Sequence, residues 1–399
     1  MSPPIPFDAA LARLVALGGP LPPVALPLGA ARGLRLAAPL VAGFDQPSAD
    51  VSAMDGYALR AADWPGPVRL VGESAAGRPF GGSVGPGEAV RIFTGAVVPE
   101  GADTVALQED ATVDGGAVRF GGEAPAPGAN IRRRGQDFAR RAPLLAAGDR
   151  LNPARLALLA AAGHDHAIVH RRPRIALVST GNELVPPGTR PGFGQQVASN
   201  GLSVGGLLEA AGAQIEDLGI LPDEQAAIAR CLDATVADVI VTIGGASVGD
   251  HDLVRPALLS LGVEPDFWRV AIRPGKPLMA ARLKHKLVIG LPGNPASALV
   301  TARLFLLPLV RRLLGDADPK DRPRLIPTAT DLAANGPRRH YLRARLLDGA
   351  VEAFGAQDSS LMTVLAAADA LLMREIGAPA VPAGTPVPVL DLWPADGGG

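Results

Sequence analysis

The sequence predicts a multidomain protein of α/β plus β class, with a doubly wound α/β central domain between two β-rich regions. Three observations carry this. From Arg174 to Leu314, short β-branched runs alternate with helical periodicity, the pattern of a parallel sheet covered on both faces. Gly72 to Glu109 is dense in glycine and has no helical period, so it reads as a small β domain. After Asp316 the chain turns to short runs broken by proline and glycine, a second small sheet.

Bulk properties exclude several function classes. With 399 residues, 48% of them hydrophobic, the chain can bury sizeable cores. Its 38 basic and 39 acidic residues leave a net charge of −1, which removes the electrostatic case for a nucleic-acid or membrane-surface partner. No basic flank precedes a long apolar run at the N-terminus, so no signal peptide is expected. The longest apolar helix, Ala296 to Leu314, is interrupted by Arg303 and Pro308 and reads as a core helix rather than a membrane span. Cys231 falls in the helical pattern 225–234 as a buried, inert thiol. A cytoplasmic location is expected.

In chain order, Phe7 to Leu17 has apolar side chains at helical spacing, followed by a Pro/Gly connector to Pro27 and a strand and crossover to about Phe44. Asp55-Gly56 is a turn signal, so Asp55 is either a turn carboxylate or a chemical one. Strand patterns cover 68–71, 89–93 and 104–108. The middle one ends on Thr94, a structural threonine or a donor to an oxyanion. The loop from Pro127 to Asp137 packs Arg132, Arg133 and Arg134 beside a carboxylate. It is a solvated charge run or a set of arginine forks for oxygen anions. A helix over 153–162 starts on Asn152 as N-cap and Pro153 at its first position. His164 and His166 follow in a loop without a third ligand and read as surface residues.

In the alternating region the expected strands are 175–179, 214–220, 239–243 and 287–290. The expected helices are about 202–211, 224–233, 253–261 and 296–314. Ligands of such sheets sit at the carboxyl ends of the strands. Three of those ends are chemically loaded: Thr180-Gly181-Asn182-Glu183, Gly244-Gly245 through Ser247, Gly249, Asp250 and Asp252, and Pro292-Gly293-Asn294-Pro295-Ala296-Ser297. Glycines admit an anion to the main chain, and a helix start such as Asn294-Pro295 offers it N–H groups. One such turn can be an ordinary βα connection; three, two of them with acids attached, point to a phosphate-and-metal site. Lys276, one of few lysines, sits inside Arg273-Pro274-Gly275-Lys276-Pro277, a position that either calls for a compact ammonium or holds a lysine by chance. Strands over 342–347 and 387–392 and a helical segment near 361–368 complete the C-terminal region, before a tail, 394–399, expected to be disordered.

Taken in order, these motifs resemble the molybdopterin molybdenumtransferase family, itself similar to the E domain of gephyrin. The resemblance runs through Ser52 to Ala58, Ile92 to Ala96, Pro99 to Asp103, Asn130 to Asp137, Ser179 to Leu184, Gly244 to Asp250, Arg273 to Pro277 and Pro292 to Ser297. It extends more weakly to Gln357-Asp358-Ser359-Ser360 and 383–387. It implies four domains: an N-terminal helix and crossover (1–44 with 139–170), an inserted β domain (45–138), a molybdopterin-binding type α/β domain (171–318) and a C-terminal β barrel (319–399).

It further implies a homodimer whose site lies between the α/β domain of one chain and the β domain of the other. There molybdate is inserted into adenylylated molybdopterin with release of AMP. A molybdopterin adenylyltransferase and molybdoenzyme acceptors or their chaperones follow as partners. On that chemistry the catalytic candidates are Asp55, Thr94, Asp137, Glu183, Asp250 and Asp252. Of these Glu183, Asp250 and Asp252 would hold Mg²⁺ against the pyrophosphate. Arg269, Arg273 and Lys276 would grip the molybdate dianion. Thr180, Gly181, Gly244, Gly245, Ser247, Gly249, Pro292, Gly293, Asn294, Pro295 and Ser297 would seat the pterin phosphate and its neighbours. Asp55 or Asp137, if buried near other acids, would stay protonated and turn departing molybdate oxygens into water.

This chain departs from the family pattern at Asn182, Gln136 and Ala198, where acids are usual, and carries arginine for lysine at 269 and 273. The lost acids favour an alternative, a non-catalytic molybdopterin-binding scaffold or carrier of the same fold. The intact set Asp55, Glu183, Asp250 and Lys276 favours the enzyme. An adenylyl-transferring relative is disfavoured by the two extra β-rich regions.

Overall fold

The computed structural model describes residues 3–245 and 253–393. Ser247, Gly249, Asp250 and Asp252 lie outside the described residues, as does the tail from Pro394. The chain forms two compact units, one built from 1–25, 33–37 and 168–399, the other from 26–32 and 38–167. The second is thus an excursion from the first. Among the described residues no helix is long and apolar enough to cross a membrane.

Helix α1 (Phe7–Leu17) opens the larger unit and buries Ala10, Leu11 and Leu14, positions three and four apart. The smaller unit holds a six-stranded sheet made of β1 (Gly56–Leu59), β2 (Val68–Ser74), β3 (Glu88–Ile92), β4 (Thr104–Leu107), β5 (Ala111–Asp114) and β6 (Ala117–Phe120). Their order is β4-β1-β3-β2-β6-β5. β1 is buried throughout because both faces are covered. Tyr57 and Leu59 join Val68, Val118 and Phe120 on one side, and Ala58 joins Ile92 and Val105 on the other. Trp64 stacks on Phe120 with centroids 5.1 Å apart. Helix α2 (Pro153–Ala161) begins as its sequence dictates, with the Asn152 side chain accepting from the Arg155 N–H at 2.9 Å. His166 is not in a loop as expected but opens a short strand, His166–His170; Ala167 and Val169 are buried in alternation, which is the strand's reason to form.

The larger unit holds the α/β sheet. Its parallel strands are β7 (Arg174–Thr180), β8 (Gln214–Leu221) and β9 (Val239–Ile243), with α3 (Asn200–Ala210), α4 (Gln225–Ala234) and α5 (Val254–Ser260) as crossovers. Then come β10 (Phe267–Arg269), β11 (Ile272–Arg273), β12 (Pro277–Leu283) and β13 (Lys286–Leu291). The sheet order is β8-β7-β9-β13-β12-β10. Ala176, Val178, Ile240 and Val288 pack on Ile228 and Leu232 of α4 and Val254 and Leu258 of α5. Leu177, on the other face, meets α3 at Gly205, where a Cβ would come within 3.3 Å of it. Both faces are therefore wound, as predicted. β13 runs parallel to β9, but the sheet is not wholly parallel, because β12 pairs antiparallel with β13 and β10 antiparallel with β12. Pro274 and Gly275 hid these strands from a reading based on alternation with helices.

The predicted long helix forms as α6 (Pro295–Thr301), a π turn over Ala302–Leu306, and α7 (Leu307–Leu313). Pro308 cannot donate to the carbonyl four residues back, and the widened turn just before it absorbs the misfit. The buried Arg303 in this turn pairs with Asp321 at 2.5 Å, and Arg311 joins the same carboxylate at 2.8 Å.

The C-terminal strands are β14 (Arg324–Pro327), β15 (Arg339–Leu347), β16 (Ala350–Ala353), β17 (Ala370–Arg374) and β18 (Pro386–Asp391), with α8 (Met362–Ala366) between β16 and β17. They run β15-β17-β18-β14, with β16 on the other edge of β15. A bridge between Thr328 and Val351 joins the end of β14 to β16 and closes the ring, so no long edge is left unpaired. β11 adds to this sheet beside β15.

Candidate active site

In the larger unit, the register aligns Ser179 with Ile243 and Ile243 with Leu291. The turns that follow β7, β9 and β13 therefore meet at one edge. The Gly244 N–H donates to the Leu291 oxygen at 3.1 Å. A Cβ on Gly244 would sit 2.6 Å from the Thr180 carbonyl oxygen, and φ there is +98°, so only glycine fits. Gly293 comes so near that its Cβ would lie 3.6 Å from the Gly244 Cα. Glu183 curls over the first turn, with its Oε2 2.6 Å from where a Gly181 Cβ would be.

Among the described residues, the Thr180 hydroxyl and Asn200 Oδ1 are buried polar atoms at this edge without a hydrogen-bond partner. The Asn200 amide donates to the Gly293 oxygen at 2.6 Å, which fixes its orientation. Each orphan costs on the order of 1–3 kcal/mol until a ligand satisfies it. Asn182 has a structural explanation. Its Oδ1 accepts from the Asp223 N–H at 3.1 Å while Asp223 accepts from the Asn182 N–H at 3.2 Å. A carboxylate at 182 would face another carboxylate across this bracket.

Asn294 is the N-cap residue of α6, but its side chain makes no capping bond. Its amide donates instead to the Ser359 hydroxyl at 3.1 Å, and the Ala296 N–H donates to the Ser359 carbonyl at 3.0 Å. Of the N–H groups expected to be exposed at this helix start, that of Ala296 is taken by a loop of the C-terminal region.

Arg269, Arg273 and Lys276 lie on one hairpin. Arg269 stands opposite Pro277, and its guanidinium stacks on Trp268 at 4.1 Å. Arg273 and Lys276 are exposed and have no ion-pair partner among the described residues. Gly275 between them presses on α6, where a Cβ would be 2.2 Å from Thr301 Cγ2. The barrel adds Arg343, fully buried. Its Nη1 donates to the Asp358 oxygen at 2.8 Å and its Nε to Gln357 Oε1 at 3.2 Å, while Nη2 has no partner among the described residues. Burial pushes the Arg343 pKa down. It also pushes the pKa of His340 down to about 4, aided by Arg273, Arg338 and Arg343.

In the smaller unit, the buried Ser52 ties together the expected residues. Its N–H donates to the Ala96 oxygen and its oxygen accepts from Gly95, while Ser52 pairs in register with Ile131. Asp55 Oδ1 accepts from both the N–H and the hydroxyl of Thr94, at 2.7 and 2.9 Å. These bonds hold the Asp55 carboxyl below its usual range. Thr94 is thus committed to Asp55 rather than free for an oxyanion. In this unit Asp55 is not a buried, protonated acid.

The arginine loop is also largely neutralised. Arg133 pairs with Asp50 at 2.6 Å and Arg134 with Asp45 at 2.6 Å. Gln136 accepts from the Arg133 N–H at 3.0 Å and so closes the loop. Asp137 is exposed, with no side-chain hydrogen bond among the described residues.

Asn200, Ser359 and Arg343 were not singled out from the sequence. The first two fell in motifs that could have flagged them. Arg343 occupies an inward strand position with no sequence mark.

Residues 5–163 match a family profile described as the MoeA N-terminal region (domains I and II), 176–312 a probable molybdopterin binding domain, and 326–392 the MoeA C-terminal region (domain IV). A molybdopterin molybdenumtransferase of Nostoc is 37% identical over 384 residues, 92% of this chain and 88% of that protein. Molybdopterin molybdenumtransferase 2 of Mycobacterium tuberculosis is 37% identical, over 93% of this chain and 95% of its own length. The crystal structure of a molybdopterin biosynthesis MoeA protein from Pyrococcus horikosii superposes with a TM-score of 0.85 at 28% identity, over 98% of this chain and 99% of that one. With these matches spanning all three regions, the chain belongs to the molybdopterin molybdenumtransferase family.

Proposed function

We propose that this chain catalyses the last step of molybdenum cofactor assembly, inserting molybdate into adenylylated molybdopterin and releasing AMP. The observation that carries this reading is the juxtaposition, in one unit, of three strand-end turns with two cations that have no ion-pair partner among the described residues. Thr180 at the first turn and Asn200 at the start of α3, whose amide bonds Gly293, carry buried polar atoms with no hydrogen-bond partner among the described residues. The hairpin of Arg273 and Lys276 is braced on α6 through Gly275. A phosphate suits the former and a tetrahedral dianion the latter.

Glu183, Asp250 and Asp252 supply only carboxylate oxygens, a donor set that fits a hard cation. Mg²⁺ held there would offset the charge of the leaving phosphate. Asp55 enters as a carboxylate oriented by Thr94, suited to taking a proton from an attacking water. Asp137, exposed in its own unit, takes the proton-donor role for departing molybdate oxygens only where a partner's α/β domain covers it. The proposal includes a homodimer in which the β domain of one protomer, with Asp55 and Asp137, faces the α/β domain of its partner. It also includes the four-domain division given above.

Purified protein with adenylylated molybdopterin, Mg²⁺ and molybdate should release AMP in step with molybdenum incorporation. AMP release at the same rate without molybdate would sink the reading. Binding of molybdopterin without turnover would favour the carrier.

A further inference from the structure

The segment ahead of α1 has no task so far, yet it is tied to the cationic hairpin through its backbone. The Ile5 N–H donates to the Arg269 oxygen at 3.0 Å, and the Ile5 oxygen accepts from the Ala271 N–H at 2.9 Å. On the same short stretch the Val270 N–H donates to the Lys276 oxygen and the Arg339 N–H to the Ala271 oxygen, both at 3.0 Å. Two residues on, the Phe7 ring meets Phe305 of the π turn edge-on at 5.1 Å and Tyr341 of β15 at 5.7 Å. Asp8 then takes both terminal nitrogens of Arg339, at 3.2 and 2.9 Å, and Arg339 also lies over the Phe7 ring. Arg339 stands in register beside Ile272, next to Arg273.

Four residues thus touch the cationic hairpin, the helical rod that begins at the proposed phosphate seat, and the barrel strand beside Arg273. β11 is two residues long and cannot hold its own geometry. Two cations that must meet one small dianion at a set separation need a fixed backbone, or ordering them uses up the binding energy. We propose that residues 5–8 are a positioning element for the oxyanion-gripping hairpin, setting its affinity for molybdate without touching the anion. This rests on the reading that Arg273 and Lys276 bind that anion.

The test compares Ile5→Pro, which deletes the N–H donor, with Ile5→Ala, which keeps it, in the full-length enzyme. Ile5→Pro should raise the KM for molybdate about fivefold to tenfold, the worth of one hydrogen bond. The kcat at saturating molybdate and the molybdopterin affinity should stay at parental values. Ile5→Ala should leave all three unchanged. An unaltered molybdate KM in Ile5→Pro, or an equal loss of molybdopterin affinity, overturns the proposal. If Ile5→Pro does not fold, Asp8→Asn at the exposed end of the clip should raise the same KM about twofold to threefold at constant kcat, and no rise overturns it. Arg273→Ala separates the two levels: if it leaves the molybdate KM unchanged, the underlying reading fails, whatever the Ile5 variants do.

Discussion

Asp55 receives two hydrogen bonds from Thr94, one from its backbone N–H at 2.7 Å and one from its hydroxyl at 2.9 Å. The backbone bond is the larger cause of the lowered Asp55 pKa, followed by the hydroxyl. A depressed carboxyl keeps its charge as pH falls and loses the associated function only below its folded-state value. Thr94→Val removes the hydroxyl alone, so the acid limb of kcat/KM should move to higher pH. An unmoved limb would take Asp55 out of the chemistry. Asp55→Asn should lower molybdate insertion by about 100-fold, the range of general acid–base catalysis, while molybdopterin binding holds. Equal loss of both would make Asp55 structural.

Lys276 and Arg273 lack carboxylate partners among the described residues. Removing either should therefore weaken anion binding without freeing a buried charge. Lys276→Ala should raise the molybdate KM about tenfold to a hundredfold, as expected for a charge-assisted bond of roughly 1.5–3 kcal/mol. Raising the salt concentration should weaken the parental enzyme more than the variant. Steady-state titration with molybdate at two ionic strengths checks both.

Gly244→Ala would place a methyl group 2.6 Å from the Thr180 oxygen in a left-handed backbone. The conflict is between main-chain atoms and cannot be relieved by a rotamer change. A stability loss of roughly 1–3 kcal/mol is expected, together with loss of molybdopterin binding. Gly188→Ala is the contrast: it shares the left-handed φ but meets nothing within 4 Å, so binding should survive there. Calorimetry and ligand titration on the two variants separate strain from steric exclusion.

His340 is held at about 4 rather than 6.5, by burial first and then by the guanidinium groups of Arg273, Arg338 and Arg343. The unfolded chain takes up a proton at this position before the folded one. The neutral ring therefore contributes stability that is complete above about pH 6.5 and is lost as pH falls toward 4. His340→Gln should flatten the stability profile in that window, by no more than roughly 3 kcal/mol. Denaturant melts across this range would show it, and an unchanged slope would refute it.

Much of the fold was legible because its signals are local. α1 spans Phe7–Leu17 as its periodicity predicts, α2 starts at its Asn-Pro signature, and β9 covers Val239–Ile243 as read. Less legible were β10, β11 and β12, whose pairing depends on long-range partners rather than on alternation. The π turn was also hidden, since it answers to Pro308 only within an otherwise continuous helix. At the site, residue types exposed the glycine turns and the cationic hairpin. They could not show that Thr94 serves Asp55, that Asn182 is bracketed with Asp223, or that Asn294 reaches outward to Ser359. Those facts depend on which side chains share a surface, and no spacing along the chain encodes that.

The contact from Ser359 to the start of α6 has an architectural consequence. A central domain cut free at its C-terminal boundary would keep its sheet and glycine turns. It would also bare the amide of Ala296, leave Asn294 without its hydroxyl acceptor and lose Arg343 altogether. In engineering terms the barrel would be a wall of the proposed reaction chamber and not a detachable handle, so shortening this protein from its C-terminal end should remove part of the proposed site.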